Sequence, residues 1–304
     1  MSSPHFKRLI ETQEVGVLLL GYNRPELLEK RIIELSQMDV VDIYISIDGG
    51  PESHTNEMIR VKQIARKLLK NHRLNLVHHK NNLGMVHHIT GEISRVLSLH
   101  KYIIVIEDDI KVSDNFIKNL LNGLDCLNKL NTRGIVSGYS PFFNSKFKNK
   151  WRKTHIAFFW GWACSSETWK VYNFDIQKYL IASKLANSKT WKNLNSFQRK
   201  FWLAKIMYSQ KFPLFTWDFQ FMFFSFVNNF MHLSPVFSIV GNEGFNDPRA
   251  VHTKGEKPSN IKNTQVNNSL IDSISRFSRL YSFFDFDNYF VAFIFKIMRF
   301  IKYN

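Results

Sequence analysis

Three adjacent carboxylates, Glu107, Asp108 and Asp109, form the group of residues in this sequence best suited to chemistry. They follow the apolar run 102–106, which is typical of a β-strand buried on both faces. Adjacent acids repel one another unless a positive charge lies among them, and a hard divalent cation with oxygen ligands supplies that charge. Because such a cation commonly bridges protein carboxylates to substrate phosphates, the triplet predicts a cation and phosphate site. The alternative is a solvated acidic turn.

Further polar side chains follow the other strands predicted in the first 130 residues. Apolar runs at 15–20, 43–47 and 74–78 read as strands, and a helical pattern follows each predicted strand. This alternation predicts an α/β fold with a doubly wound, mainly parallel sheet flanked by helices. The carboxyl ends of parallel strands meet at one sheet edge, where such folds bind ligands. The residues predicted at this edge are Tyr22, Asn23, Arg24, Asp48, Asn82, Gly84, Asp108 and Asp109.

Local signals set the predicted helix boundaries. Pro25 is well placed as the first residue of the helix that follows the first strand. Ser113 or Asp114 is predicted to cap the helix that runs to about Leu130. A serine followed by Glu167 predicts the start of another helix.

Composition and charge restrict the class of protein. The 304 residues are 44% hydrophobic, so the chain can bury a large core. The 41 Lys and Arg residues against 25 Asp and Glu residues give a formal net charge of +16, which favours anionic partners. Only two cysteines, no apolar leader and no membrane-length apolar run predict a cytoplasmic protein that is soluble or peripheral to a membrane. The absence of a GxGxxG or Walker motif disfavours dinucleotide oxidoreductases and P-loop enzymes.

The second half of the chain is less regular. A strand is predicted at 134–138, a basic aromatic loop over the site at 142–151, and a helical insertion at 172–211. Glycine between Trp160 and Trp162 suggests backbone close to a flat ligand such as a sugar ring, whereas the alternative places one or both tryptophans in the core.

The segment 213–218 is predicted to return to a strand and to begin an aromatic helix over 219–230. Asp218 at this junction is interpreted as the N-cap of the helix, as a catalytic base held by the cap geometry, or as both. Downstream, Asp247, Arg249 and His252 share one loop. A loop histidine is usually only solvated, but one near a carboxylate-bound metal and a phosphate-binding arginine can take part in the site.

Residues 270–304 interleave Phe with Arg and Lys. This pattern predicts a basic, aromatic amphipathic helix that lies in the headgroup region of an anionic membrane. The alternative is a terminal helix that docks on the protein's own core.

Taken together, the motifs resemble those of the GT-A glycosyltransferases of family 2 type. The resemblance rests on Leu18 to Pro25, Ile47-Asp48-Gly49, Asn81 to Gly84 and Val105 to Asp109. Glu107 to Asp109 as a form of the Asp-x-Asp motif, with Phe159 to Trp162 and Trp217-Asp218 downstream, is similar to the N-acetylglucosaminyltransferase I branch and its bacterial relatives. The resemblance covers about residues 14–253. Asp218 departs from that branch, because Phe219 follows it where an acid is usual.

The resemblance implies roles for individual residues. Tyr22, Asn23 and Arg24 would lie against the nucleotide, Asp48 would accept a hydrogen bond from a uracil base, and Asn82 and Gly84 would lie beneath the nucleoside. Asp108 would contact the ribose or sugar, Asp109 and His252 would bind Mn²⁺ or Mg²⁺, and Arg249 would assist the diphosphate. The implied acceptor and sugar side is formed by Glu107, Trp160, Trp162 and Glu167, with Asp218 as the general base.

These observations predict a metal-dependent, inverting glycosyltransferase of the hexosyl or N-acetylhexosaminyl type. A GT-A domain is expected over 1–253, with a nucleotide-sugar half at 14–130 and an acceptor half at 131–253, followed by a linker and amphipathic tail at 254–304. The expected donor is a UDP-sugar such as UDP-GlcNAc, and the acceptor a glycan or lipid-linked saccharide. Lys-, Asn- and Phe-rich usage suggests a bacterium, hence capsule or lipopolysaccharide synthesis at the inner face of the plasma membrane.

Two alternatives belong to other classes. The charge of +16 with interleaved aromatic residues is compatible with a nucleic-acid-binding protein, but the basic residues are spread along the chain and strand-end acids oppose phosphate, so no nucleic-acid partner is expected. A catalytically inactive module that binds a glycan is disfavoured by the presence of both Asp109 and Asp218.

Overall fold

The computed structural model describes residues 14–50, 55–140, 149–245, 247–249, 271 and 273–274. The structure in these residues is built from strands and helices that alternate strictly up to residue 107 and less regularly beyond it. The strands are β1 Val15–Gly21, β2 Asp42–Ile47, β3 Arg73–His78, β4 Tyr102–Glu107, β5 Ile110–Val112, β6 Val136–Ser137, β7 Lys150–Thr154, β8 Trp162–Ser165, β9 His232–Pro235, β10 Val240–Asn242 and β11 Ser273–Ile274. The helices are α1 Pro25–Ser36, α2 Thr55–Leu68, α3 Met85–Leu97, α4 Phe116–Lys129, α5 Ser166–Trp169, α6 Ile181–Ala186, α7 Lys189–Asn193, α8 Ser196–Lys211 and α9 Asp218–Val227.

One sheet of nine strands runs through the described residues in the order β11-β7-β9-β6-β8-β4-β1-β2-β3. Strands β3, β2, β1 and β4 are parallel neighbours. Antiparallel β8 joins β4 to the second half of the sheet, where β6 pairs with β9 in parallel and β7 pairs with β9 antiparallel. Strands β5 and β10 form a separate antiparallel pair. The predicted α/β fold with a mainly parallel sheet flanked by helices is confirmed.

The core forms on both faces of this sheet. All seven residues of β1 are buried, and its side chains alternate between the two faces, as the pleat of a strand requires. Val17 and Leu19 pack with α1, α2 and α4, whereas Leu18 and Leu20 pack with α3 and the aromatic helices of the second half. Because both faces are covered, the strand reads as an unbroken apolar run.

Helix boundaries agree with the sequence in two places and differ in two. Pro25 is the first residue of α1 and Ser165 caps α5, as predicted. The cap of α4 is Asn115 rather than Ser113 or Asp114, because the first bond of the helical i→i+4 pattern runs from the Asn119 N–H to the Asn115 carbonyl, whereas the Ser113 carbonyl accepts the Phe116 N–H in a preceding turn. Helix α9 begins at Asp218 with Trp217 as its N-cap, so Asp218 lies in the first turn and is not the cap.

Two further predictions of secondary structure are wrong: one predicted strand is a turn, and one predicted loop ends in a strand. Residues 213–217 form a turn, not a strand, in which the Phe215 N–H donates to the Phe212 carbonyl and Gln220 holds the Pro213 carbonyl. The end of the predicted loop 142–151 is strand β7, whose Trp151 is fully buried. Trp151 is therefore part of the core.

Most of the predicted tail helix over 270–304 lies outside the described residues. Its described part is β11, which pairs with β7, and Ile271, which is buried against α4. None of the helices that the structure describes is long and apolar enough to cross a membrane.

Candidate functional site

The strand-end acids are held by Arg24. The Nη1 atom of Arg24, which follows β1, donates to Asp109 Oδ2 at 3.0 Å, and its Nη2 atom donates to Asp108 Oδ1. Strands β1 and β4 are neighbours with Leu20 opposite Glu107, so their carboxyl ends bring the guanidinium and the acids together. The predicted juxtaposition of Arg24, Asp108 and Asp109 is therefore present.

Burial changes the protonation of the acids. It raises the pKa of Glu107 to about 8, with Asp109, Asp108 and Asp218 adding to the effect and Arg24 opposing it. Burial also raises the pKa of Asp108 to about 7 against the pull of Arg24, and it raises that of Asp109. The cause is the cost of placing several negative charges in a region with little water.

Asp48 organises the loop beneath the predicted nucleoside position. Its Oδ1 atom accepts the N–H groups of Gly49 at 2.9 Å and Leu83 at 2.8 Å, and its Oδ2 atom accepts that of Gly84 at 3.2 Å. Asn82 Nδ2 donates to the Tyr22 hydroxyl at 2.9 Å. The structure thus brings these predicted residues together at the carboxyl ends of β1, β2 and β3, with Asp48 anchoring the loop.

The segment after β10 packs directly against Asp109. The Glu243 N–H donates to the Asp109 carbonyl at 2.8 Å. A Cβ atom on Gly244 would lie 2.3 Å from Asp109 Oδ2 and 2.9 Å from Arg24 Nη1, so this position requires glycine for close approach. Arg31 of α1, which the sequence analysis missed, is buried and contacts Glu243 at 3.1 Å. The signal in the sequence is that Arg31 occupies a position on the apolar, inward-facing side of α1, where a charged residue is unusual.

Arg249 lies near the site but is engaged by acids. Its side chain contacts both oxygens of Asp247 at 2.9 and 3.0 Å and both oxygens of Glu26. Its Nη1 atom also donates to the Asn23 carbonyl at 3.3 Å. These contacts fasten the loop after β10 to the start of α1 and leave Arg249 beside the predicted nucleotide-binding residues. His252 lies outside the described residues.

Asp218 is surrounded by groups from three other elements. The Thr216 hydroxyl donates to Asp218 Oδ1. Burial lowers the pKa of Lys205 to about 8, and Asp218 partly counteracts this. Burial and Asp218 both raise the pKa of Tyr172. Since Asp218 also raises the pKa of Glu107, the candidate base and the strand-end acids share one electrostatic environment. Lys205 and Tyr172 belong to the helical insertion predicted over 172–211, where no sequence motif marks them as site residues.

The two tryptophans have different positions. Trp162 is 1% exposed and stacks on Trp217 with ring centroids 5.7 Å apart, so it lies in the core. Trp160 is partly exposed and packs on Tyr139 at 4.4 Å. Gly161 has φ +53°, and a Cβ atom there would lie 3.0 Å from the Phe116 ring. Close packing inside the protein therefore accounts for this glycine.

Glu167 is not brought to the site. Ser165 lies opposite Tyr102 at the start of β4, and the Ser166 N–H donates to the Lys101 carbonyl. At about 3.3 Å per residue, the start of β4 is about 17 Å from its carboxyl end. Glu167 is exposed there and pairs with Lys170, so the register separates it from the acids.

The residues present fit a divalent cation that is shared with a phosphate group. Mg²⁺ and similar ions are often bound by one or two carboxylates, with the other ligands supplied by substrate phosphates and water. Asp108 and Asp109 offer such oxygens, while the described residues contain no group of three His, Cys, Asp or Glu side chains that could hold an ion alone.

No protein-family model matches the chain, and no curated protein sequence matches it. Among solved structures, the chain is similar to the mannosyltransferase PcManGT from Pyrobaculum calidifontis, in complex with GDP-Man and Mn²⁺, with 17% identity and a TM-score of 0.40. That match covers 52% of this chain and 46% of the mannosyltransferase, so less than half of the latter is spanned.

Two further similarities are to a thymidylyltransferase and to a synthase. A putative glucose-1-phosphate thymidylyltransferase from Bacillus anthracis has 10% identity and a TM-score of 0.32, over 51% of this chain and 73% of that one. A 4-diphosphocytidyl-2C-methyl-D-erythritol synthase from Anaerococcus prevotii has 10% identity and a TM-score of 0.32, over 54% and 75%. These similarities are low, and the assignment of the fold rests on the sheet topology.

Proposed function

We propose that this protein is a glycosyltransferase that moves a sugar from a nucleotide diphosphate sugar to a hydroxyl group of a glycan or lipid-linked acceptor. The observation that carries this proposal is the meeting of two separate sets of acids. Glu107 to Asp109 lie at the carboxyl end of β4, and Asp218 begins α9 of the second half. Trp217, which precedes Asp218, stacks on Trp162, and Trp162 lies opposite Val105 of β4. This packing brings the start of α9 toward the end of β4, and Asp218 contributes to the raised pKa of Glu107.

The support for a donor site lies at the carboxyl ends of β1, β2 and β4. Asp48 holds the loop 82–84, and Tyr22 and Asn82 lie at its rim. Arg24 is suited to a diphosphate, because its planar guanidinium matches phosphate oxygens as well as carboxylates. Asp109 would be the principal ligand of Mn²⁺ or Mg²⁺, with His252 as a further candidate, and Asp108 beside it would contact the ribose or the sugar. When bound, the cation would neutralise charge on the departing diphosphate.

In the proposed reaction, Asp218 accepts the proton of the acceptor hydroxyl while the acceptor oxygen forms a bond to C1 of the sugar. The bond between C1 and the diphosphate oxygen breaks, and the diphosphate leaves with the electron pair. A single displacement of this kind inverts the configuration at C1. The Thr216 hydroxyl donates to Asp218 Oδ1 and would hold the carboxylate in place for this proton transfer.

The proposed donor is a UDP-sugar, with UDP-GlcNAc as a specific candidate, and the reaction is of the hexosyl or N-acetylhexosaminyl type. The proposed setting is bacterial surface polysaccharide synthesis, with the protein in the cytoplasm and in contact with the inner face of an anionic membrane. The support for these finer statements is the motif resemblance and the basic composition. A catalytically inactive binding module remains the alternative.

A thermal-shift panel tests the donor site. Wild type, Asp109→Asn and the exposed control Asp39→Asn are compared with UDP, GDP and other nucleoside diphosphates, with and without Mn²⁺. A ligand at about 100 times its Kd stabilises the native state by about 2.7 kcal/mol. We expect metal-dependent stabilisation of wild type and Asp39→Asn but not of Asp109→Asn. The proposal fails if no nucleotide stabilises the wild type with any metal. Hydrolysis of the donor sugar then separates an active enzyme from an inactive module.

A further inference from the structure

The helical segment that precedes Asp218 is unusually basic. From residue 176 to residue 217 the sequence contains eight basic residues and no acidic residue, which equals half of the formal net charge of +16. The segment is bounded by Asp175 and Asp218. Its basic residues are Lys178, Lys184, Lys189, Lys192, Arg199, Lys200, Lys205 and Lys211.

The same segment exposes large apolar side chains. On α8, Phe197 is 48% exposed and Met207 is 54% exposed. Lys200 and Lys211 are exposed as well, and the spacing of these four residues by three, seven and four places them on one face of the helix. The opposite face buries Trp202 and Ile206. Helix α8 therefore has an inner apolar face and an outer face on which apolar and basic residues alternate.

The turn after α8 extends this outer face. Leu214 is 58% exposed and Phe215 is 38% exposed. Tyr208 of α8 contacts the rings of Phe212 at 4.9 Å and Phe215 at 5.0 Å, so the turn is folded back onto the end of the helix. We define the docking face as Phe197, Lys200, Met207, Lys211, Leu214 and Phe215.

We propose that the docking face binds the surface of an anionic lipid bilayer. Apolar and aromatic side chains can enter the boundary between headgroups and acyl chains, while lysines among them are attracted to anionic lipids. A second copy of the chain is a poorer occupant, because two faces of the same positive charge repel each other. The continuous positive charge, without an acid among 42 residues counted from 176 to 217, matches a surface that is negative over its whole extent.

The docking face lies next to the proposed catalytic base, Asp218. Phe215 is three residues before Asp218, and Thr216 between them donates a hydrogen bond to Asp218. A bilayer at the docking face would hold a lipid-borne acceptor beside the proposed base. This last step rests on the proposed function, whereas binding to the bilayer does not.

Vesicle co-sedimentation of the full chain tests the proposal. Vesicles of phosphatidylcholine alone are compared with vesicles that also contain phosphatidylglycerol. We expect wild type to bind the anionic vesicles and to be retained less at high salt. Leu214→Ser/Phe215→Ser and Lys200→Gln/Lys211→Gln should each weaken binding about tenfold or more, since each exchange removes either inserted apolar surface or two attracted charges.

Matched controls lie on other faces of the protein. Ile59→Ser/Leu99→Ser removes apolar residues that are 43% and 63% exposed, and Lys67→Gln/Lys70→Gln removes two exposed charges of the α2 region. Both controls should bind vesicles as wild type does. Equal binding by the docking-face variants and the controls overturns the proposal, because another part of the chain then holds the membrane. Binding that does not depend on anionic lipid overturns it as well.

A second measurement locates the contact. A fluorophore at Leu214→Cys, in a Cys126→Ser background, should shift to shorter emission wavelength on anionic vesicles, whereas the same fluorophore at Ile59→Cys should not. An unshifted label at position 214 overturns the proposal even where the protein sediments with vesicles. The nucleotide thermal-shift panel is unaffected by either result, so failure of this inference and failure of the proposed donor site are distinguishable.

Discussion

Residues 14–130 and residues 131–245 meet at the same sheet edge but are built differently. The first part alternates strands and helices, and its parallel strands deliver Arg24, Asp48, Asp108 and Asp109 to that edge. The second part uses short, mostly antiparallel strands and a helical insertion, and it delivers Asp218 from the start of a helix. A regular topology therefore positions the proposed donor residues, whereas individual packing contacts position the proposed acceptor residues.

The variant with the largest expected effect, Asp218→Asn, tests whether the first part binds the donor while the second part supplies the base. Asp218→Asn should lower turnover by about 10²–10⁴-fold, because it removes the proposed proton acceptor. The affinity for nucleotide diphosphate should stay as in wild type, since the donor residues belong to the first part. Initial rates and nucleotide titrations measure the two quantities. Equal loss of both would show that the two parts do not separate in function.

The pair of tryptophans tests the contrast between core and site within the second part. Trp162→Ala should lower the free energy of unfolding by about 3–5 kcal/mol, because Trp162 is fully buried. Trp160→Ala should cost about 1 kcal/mol in stability, since its ring is partly exposed. Denaturant unfolding measures both values, and a similar cost for the two variants would contradict the assigned positions.

Gly244 tests whether the second part also shapes the donor site. Gly244→Ala places a methyl group where Asp109 and Arg24 meet, so we expect a loss of about 1–3 kcal/mol in stability. Metal-dependent nucleotide binding should weaken at the same time, as measured by calorimetry. Gly91→Ala, at a helical position with no neighbouring atom within 4 Å of the added carbon, is the control.

The remaining prediction concerns pH and the core of the second part, where the effect on stability is zero near neutral pH and grows only in acid. Burial lowers the pKa of His232 to about 3, and His155 adds to this. The neutral ring accepts the Ile135 N–H at Nδ1 and donates from Nε2 to Ser225. Stability from this group is complete above its unfolded pKa of about 6.5 and falls with pH below it, by at most about 1.4 kcal/mol per pH unit.

Unfolding curves between pH 7 and pH 4 measure this dependence. His232→Asn should reduce the slope relative to wild type, whereas the exposed control His87→Asn should retain it. An unchanged slope in His232→Asn would mean that other groups cause the acid sensitivity.

The sequence predicts the first part of the fold because burial on both faces leaves unbroken apolar runs, such as residues 15–20 and 102–106. Pro25 and the acids after β4 add local signals that do not depend on distant contacts. The same reasoning fails where tertiary contacts decide the structure. Residues 213–217 are apolar enough for a strand, but hydrogen bonds within the turn and contacts with α8 hold them in a turn.

The candidate site divides in the same way. Strand-end residues could be predicted, because parallel register brings them together without knowledge of any single contact. Lys205 and Tyr172 could not, since they reach Asp218 only through the packing of the insertion. Glu167 was misplaced because an antiparallel strand reverses the edge at which its following residues lie. Strand direction, which the local sequence does not specify, decides that outcome.

The contact of Arg24 with Asp108 and Asp109 has a thermodynamic consequence. The guanidinium and an incoming cation would compete for Asp109 Oδ2, so the ligand-free chain has a lower affinity for a cation than the two carboxylates alone would provide. A diphosphate offers Arg24 replacement oxygens and offers the cation additional ones. Under the proposed function, each ligand would therefore raise the affinity for the other, and this coupling would be reciprocal. The chain would then respond to the nucleotide and the cation in combination and only weakly to the free ion.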